Sequence, residues 1–371
     1  MVIPIAILNK SKESQERYWS ERAERVILAA EKTAEEMNTD LKKLYEETQK
    51  AIQREIEVFY GRYSRDVGVS LEDARKALNK SELKSYLEQT QEYYEAIKAT
   101  GYAFDPAYRQ KLHRQLSLKS AVSRLEALQA DCQFQIEKLY AREQDAFRIG
   151  LGTVYEESYL RTMFDFNQAF GMASSFSSLN TKMIESAVST KWLGESYSDR
   201  IWANKDRLTL NLERIIPQGM ALGQSPRIIG KNISDAMQTS EYNGVRLART
   251  EFNKIAGDGR LKGYIAAGIE EYKIDAVLDH KTSEICEEMH GKIFKVSEYQ
   301  PGVTANPFHP NCRTGTRPYL PKDEIDALYP RAVRLATDEN GKVIEIPADL
   351  SFSRWRKGLT PLDNGKVRYV P

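Results

Sequence analysis

Cysteine and histidine are scarce in this chain of 371 residues, which holds three of the first and four of the second. Three thiols cannot build the disulfide framework of a small secreted scaffold, and they point to a reducing compartment. Net charge is almost absent: 54 Lys and Arg against 53 Asp and Glu leave +1. That balance excludes a whole-chain basic platform for nucleic acid, or an acidic field for a basic partner. No apolar run approaches the roughly 20 residues that span a bilayer, so no membrane partner is expected. The opening MVIPIAILNKSKES has an apolar patch but no basic run before it and no small-residue cleavage site, so it does not read as a signal peptide. A chain of this kind is expected to be soluble and made in a cytoplasm. Its length favours two domains over one core.

Proline and glycine are missing from Ser11 to Tyr60. Apolar or semi-apolar residues recur there at Val26, Ala30, Thr33, Met37, Leu41, Leu44, Thr48, Ile52, Ile56 and Phe59. Steps of three and four are helix spacing. A helix of about 50 residues would be roughly 75 Å long. It reads as a strut inside a helical bundle, with an intermolecular coiled coil as the other reading. Ser70 and Asn79 open helix-start signatures, and a helix is expected over 82–100. Asp105 and Pro106 begin the next stretch. Leu112 to Phe147 is a further long helical run, which Gly150 and Gly152 are expected to interrupt before it resumes over 155–176. His113 and Cys132 stand singly in these helices and read as packed residues rather than ligands.

The composition shifts at Ser174-Ser-Phe-Ser-Ser, a candidate linker. Helices are expected over 184–192, over 208–216 with Pro217 as the stop, over 227–237 with Ser225 as N-cap, and over 243–256. Arg249 and Glu251 lie two apart on the last of these and face different sides, and Arg249 suits bidentate binding of a carboxylate such as Asp279. After Gly268 the period changes. Strands are expected at 272–278, 292–296 and 313–319, then a hairpin over 333–346 turning at Asn340-Gly341. The end, from Ser353, is polar and basic and reads as a loosely held tail. Arg354, Arg356, Lys357, Lys366 and Arg368 make it the best local candidate for a DNA contact, against the plainer reading of a solvated end.

The scarce residues pile up between Leu278 and Pro318, where two of the three cysteines and three of the four histidines fall. Cys286 pairs with His290 and His309 with Cys312, one pair on each side of a Gly/Pro-containing loop. The motifs Ser198-Asp-Arg-Ile-Trp202, Gly223-x-Ser-Pro226, Leu247-Ala-Arg-Thr-Glu251, Asp279 through Cys286, His290-Gly291-Lys-Ile-Phe294 and His309-Pro310-Asn-Cys312-Arg313 occur in this order. Together they resemble the phage minor head proteins, the Mu F-like head-morphogenesis group of tailed bacteriophages. The likeness covers roughly residues 185 to 320 and gives Arg249, Glu251, Asp279, Gly291, Pro310 and Arg313 structural roles.

The expected architecture is a mainly α chain with a C-terminal α+β domain: long N-terminal helices over 1–178, a small mixed helix and sheet domain of the Mu F-like type over 179–325, and a hairpin and polar tail over 326–371. The resemblance implies a minor capsid protein of the virion that binds the portal, the major capsid or the scaffolding protein. Such a protein would act during procapsid assembly and influence DNA packaging or ejection. The family pattern usually has cysteines where this chain has Ser283 and Thr314. Cys286, His290, His309 and Cys312 could still offer two sulfurs and two imidazole nitrogens to a tetrahedral Zn²⁺. Packed thiols with backbone-bonded histidines are the alternative.

A catalytic reading would be a metal-dependent nuclease or other hydrolase, with Asp279, His280 or Glu284 as base. A Cys312–His309 nucleophile lacks an oxyanion-hole signature. Arg249 and Glu251 lack the Gln/Glu-x-Glu element of an ADP-ribosyltransferase. A non-enzymatic assembly protein is therefore expected, with a helical coiled-coil adaptor as a further alternative.

Overall fold

The computed structural model describes residues 12–67, 124–170, 176–222, 224–320, 335–337, 343–345, 352–361 and 366–369. The helices expected between residues 70 and 123, with His113, and the Asn340-Gly341 turn lie outside them. Four long helices dominate: α1 (Lys12–Val67), α2 (Arg124–Phe170), α4 (Tyr197–Ala221) and α5 (Pro226–Ala266). Short α3 (Thr181–Val188) starts on Asn180, whose side chain accepts the Met183 amide.

The chain forms two compact units, and these interleave along the sequence rather than following one another. One unit takes residues 38–146 and 198–245, and the other takes the rest. The expected consecutive division at 178 and 325 reflects where composition changes. The units instead divide α1, α2 and α5 between them.

In the helical unit, Leu41, Tyr45, Ile52 and Ile56 of α1 are buried together with Ile136, Tyr140, Trp202, Ile216 and Ile233. The stripe anticipated for α1 is therefore filled by the same chain, as a strut requires, with Tyr45 edge-on to Tyr140 at 6.1 Å. Two expected stops are overridden. Pro217 lies inside α4, which runs on to Ala221. Proline there forfeits one backbone hydrogen bond, but Leu212 and Ile216 just before it are buried, and that packing holds the turn helical.

In the second unit, Gly150 and Gly152 do not interrupt α2. A Cβ on Gly150 would stand 2.6 Å from the ring of Phe252. Likewise Gly259 faces the backbone oxygen of Tyr155 and Gly263 faces Thr162, each at 2.5 Å. These glycines let α2 and α5 approach closely, which offsets the ~1 kcal/mol each costs in a helix interior.

Against this helix pair packs a three-stranded antiparallel sheet of β2 (Glu271–Asp275), β3 (Ile293–Lys295) and β4 (Gly315–Tyr319), ordered β3-β2-β4. Tyr272 faces Phe294 on one side and Pro318 on the other. Tyr272 and Ile274 point inward onto Trp19, Phe166 and Tyr264. The period of two anticipated after Gly268 is this sheet. α6 (Glu284–Met289) lies between β2 and β3.

The C-terminal end departs from expectation. β5 (Leu335–Thr337) and β6 (Val343–Glu345) pair as the anticipated hairpin. Beyond it, α7 (Phe352–Lys357), β7 (Leu359–Pro361) and β8 (Lys366–Tyr369) form a docked element rather than a loose tail, with β1 (Phe176–Ser177) completing a sheet ordered β1-β8-β7. The reason is Trp355, 1% exposed, stacked on Phe176 at 5.6 Å and packed with Tyr159, Leu160 and Met163. One apolar anchor outweighs the polar composition around it.

Candidate functional site

The site is assembled on the middle of α5, with the sheet and the segment 276–314 laid over it. Thr250 accepts the amide of Asn311 through its hydroxyl. Asn253 donates to the backbone oxygen of Thr314, and Asn306 donates to both the backbone and the side-chain oxygens of Asn253. Glu251, 3% exposed, accepts the indole N–H of Trp192 on both carboxylate oxygens at 3.1 Å. Arg249 faces the other way and binds Glu35 of α1 at 3.1 Å. The carboxylate expected for Arg249, Asp279, is instead held by Arg313, which donates Nη1 at 2.8 Å and Nη2 at 2.5 Å. The strand entry supplies the guanidinium because Arg313 directly precedes β4, beside the loop that carries Asp279.

That loop is a closed turn. The amides of Asp279 and Lys281 donate to Thr282 Oγ1 and Asp279 Oδ1, and Thr282 donates onward to the Val277 carbonyl. The Arg313 guanidinium, helped by the Lys281 amide, holds the Asp279 carboxyl far below the usual carboxylate range. A carboxylate so engaged is a poor general base. Glu284 is exposed in the first turn of α6.

Three of the four expected ligands converge. Cys286 Sγ lies 3.1 Å from His309 Nε2 and 3.7 Å from Cys312 Sγ, and the donor atoms of all three fall within 4.8 Å of one another. His290 is not part of this set. Its Nδ1 accepts the Ala276 amide at 3.1 Å, which ties the end of α6 to the end of β2. Gly291 follows at φ 81, a left-handed turn that glycine adopts freely, and it donates to the Ile274 carbonyl at 2.9 Å. Cys286 sits in the first turn of α6, where Ser283 is the N-cap and accepts its amide. Cys312 follows the turn His309-Pro310-Asn311, in which Asn311 takes φ 60. Both thiols are 3% exposed, beside Ala276 and Phe308.

The electrostatics separate the two sulfurs. Hydrogen bonding from Cys286, with backbone bonds at Phe308 and Thr314, brings Cys312 down to about 6 against the pull of burial. Cys286 is pushed up, first by its hydrogen bond with Cys312 and then by burial. The hydroxyls of Ser283 and Thr314 favour ionisation of these sulfurs, Thr314 acting on both and Ser283 on Cys286. The two positions at which the resemblance leads one to expect cysteine therefore carry hydroxyl side chains instead. His309 Nδ1 donates to the Pro310 carbonyl at 2.8 Å. A carbonyl can only accept, so the neutral ring carries its proton on Nδ1 and turns the Nε2 lone pair toward Cys286. Two sulfurs and an imidazole nitrogen oriented from behind form a donor set that suits Zn²⁺.

Residues 211–317 match the profile of the family described as "Phage Mu protein F like protein". They cover the end of α4, all of α5, β2, β3, the start of β4 and the thiol–imidazole cluster. This chain carries a segment similar to the Phage Mu protein F like proteins. A curated relative is the NAD(+)--arginine ADP-ribosyltransferase EFV of Enterococcus faecalis, 28% identical over 147 residues, 38% of this chain. The chain spans 30% of that protein's length. No solved structure matches the chain significantly. Among the described residues, no helix is long and apolar enough to cross a membrane.

Of the residues anticipated for DNA, Arg356 is paired with Glu156 at 3.2 Å. Lys366 and Arg368 lie on β8, opposite Ser177 and Thr360. Arg354 and Lys357 lie on α7. These positions belong to a docked element rather than a free basic end. Thr250, Asn253, Asn306 and Trp192 hold the site together and were not singled out in the sequence. The only local signal for them was that Thr250 falls within Leu247-Ala-Arg-Thr-Glu251.

Proposed function

We propose that this chain is a minor head protein of a tailed phage, carried in the virion, whose Mu F-like unit docks on the portal or the inner capsid during procapsid assembly. The observation that carries this reading is the family match over residues 211–317, which takes in α5, most of the sheet laid over it and the His309–Arg313 turn. The engaged state of Asp279 and the structural use of Glu251 and Arg249 favour docking over turnover. Influence on DNA packaging or ejection follows from such a location and needs no DNA-binding surface. Portal rings co-expressed with this chain should retain it through affinity purification and size-exclusion chromatography. If neither portal nor capsid protein from the same phage retains it, the reading is wrong.

We further propose that Cys286, His309 and Cys312 hold a structural Zn²⁺. The ion would tie the start of α6 to the loop entering β4, in a sheet with little core of its own. A fourth ligand would come from water or from another group. Elemental analysis of the purified protein should give close to one zinc per chain, lost in Cys286→Ser but kept in His290→Ala. Absence of zinc from wild type, even after refolding with it, would overturn the assignment.

A further inference from the structure

We propose that Cys286 and Cys312 form a reversible disulfide, so that this junction is a redox-controlled staple as well as a ligand pair. The sulfurs stand 3.7 Å apart in the thiol form. A disulfide is about 2.05 Å long, so closure needs a movement smaller than a bond length on each side. Both side chains are mounted to allow it. Cys286 is in the first turn of a six-residue helix, and Cys312 follows a turn rather than lying within a strand. His309 Nε2, 3.1 Å from Cys286 Sγ, can accept the thiol proton as the bond forms.

The step balances with a small-molecule disulfide as oxidant. One protein thiolate attacks a sulfur of the oxidant and expels one thiolate. The second then attacks the mixed disulfide and expels the other. The protein dithiol loses two electrons and two protons, and the oxidant leaves as two thiols. The link would close a loop that contains β3 and tie α6 to the approach of β4. The reaction itself needs no metal. A virion that leaves a reducing cytoplasm for an oxidising medium would meet the conditions that close it; that context rests on the head-protein reading, whereas the chemistry does not.

The test is peptide mapping of the full chain, treated with EDTA and then oxidised glutathione, and digested with trypsin without reductant. The expected product is a single cross-linked pair, residues 282–292 joined to residues 296–313, which dithiothreitol separates. Cys286→Ser and Cys312→Ser should each abolish it. The proposal fails if these peptides stay free, or if the glutathione mixed disulfide accumulates at either cysteine without closing. A parallel sample loaded with zinc before oxidation separates the two ideas. If zinc slows closure tenfold or more, the ion and the disulfide compete for the same sulfurs. If the link forms at the same rate with and without zinc, the metal assignment fails and the disulfide stands.

Discussion

Glu143 is the clearest case of a single side chain whose state depends on its surroundings. It is fully buried in the helical unit, where Tyr45 donates to one carboxylate oxygen at 3.0 Å. Gly244 leaves space beside the other: a Cβ there would stand 2.9 Å from Oε1. Burial outweighs the Tyr45 bond and pushes the carboxyl up to about 8. A group whose folded value is raised contributes its stability in full below the ordinary value and loses it as the pH rises through the folded value. The helical unit should therefore weaken between about pH 4.5 and pH 8, by an amount on the order of 4 kcal/mol. Glu143→Gln should flatten that dependence, as read from denaturant midpoints at about pH 5 and about pH 8.5. If the wild-type and variant midpoints stay parallel across this range, the buried carboxyl is not the cause.

Two elements depend on contacts that their own composition conceals. α2 and α5 are held close by Gly259, whose Cβ position is 2.5 Å from the Tyr155 backbone oxygen. Backbone cannot step aside as a side-chain tip can, so Gly259→Val should separate the helices and cost about 2 kcal/mol or more in thermal or denaturant unfolding. Unchanged stability would mean that the two helices are not held at this distance. Trp355 plays the matching part for α7 and the β1-β8-β7 sheet. Trp355→Ala should cost about 3–5 kcal/mol locally. Amide exchange over 352–361 should speed up while β2 stays protected. Exchange that rises equally in both places would show that the C-terminal element is not separately docked.

For the whole molecule, charge is the scale-level quantity. At +1 overall, no long-range field draws the chain to nucleic acid. The basic residues near the C-terminus lie on α7 and β8 rather than on a free tail, with Arg356 paired to Glu156. Binding to duplex DNA should be weak at about 150 mM salt, and its salt dependence should correspond to few phosphate contacts. A gel shift at submicromolar protein with a steep salt slope would contradict this and return DNA contact to the function.

Much was legible in the chain before folding. The α1 strut, the Ser225 cap, the three strands and the hairpin each have a local cause: spacing, a side-chain cap, or a change of period. The convergence of Cys286, His309 and Cys312 was legible too, because rare residues flanked one loop. Composition alone misjudged several features that a distant neighbour decides. Glycine in α2 reads as a break until Phe252 is seen against it, and Pro217 reads as a stop until the packing around it is known. Arg249 and Arg313 are equally able to grip Asp279, and only the position of the strand entry selects Arg313. His290 has the right spacing to Cys286 for a ligand, yet the Ala276 amide at the end of β2 takes its Nδ1. Most of the helices and strands, and the chemistry available to them, follow from periodicity and residue type. Which partner each side chain meets is set by packing, because most contacts between residues tens of positions apart leave no local signature.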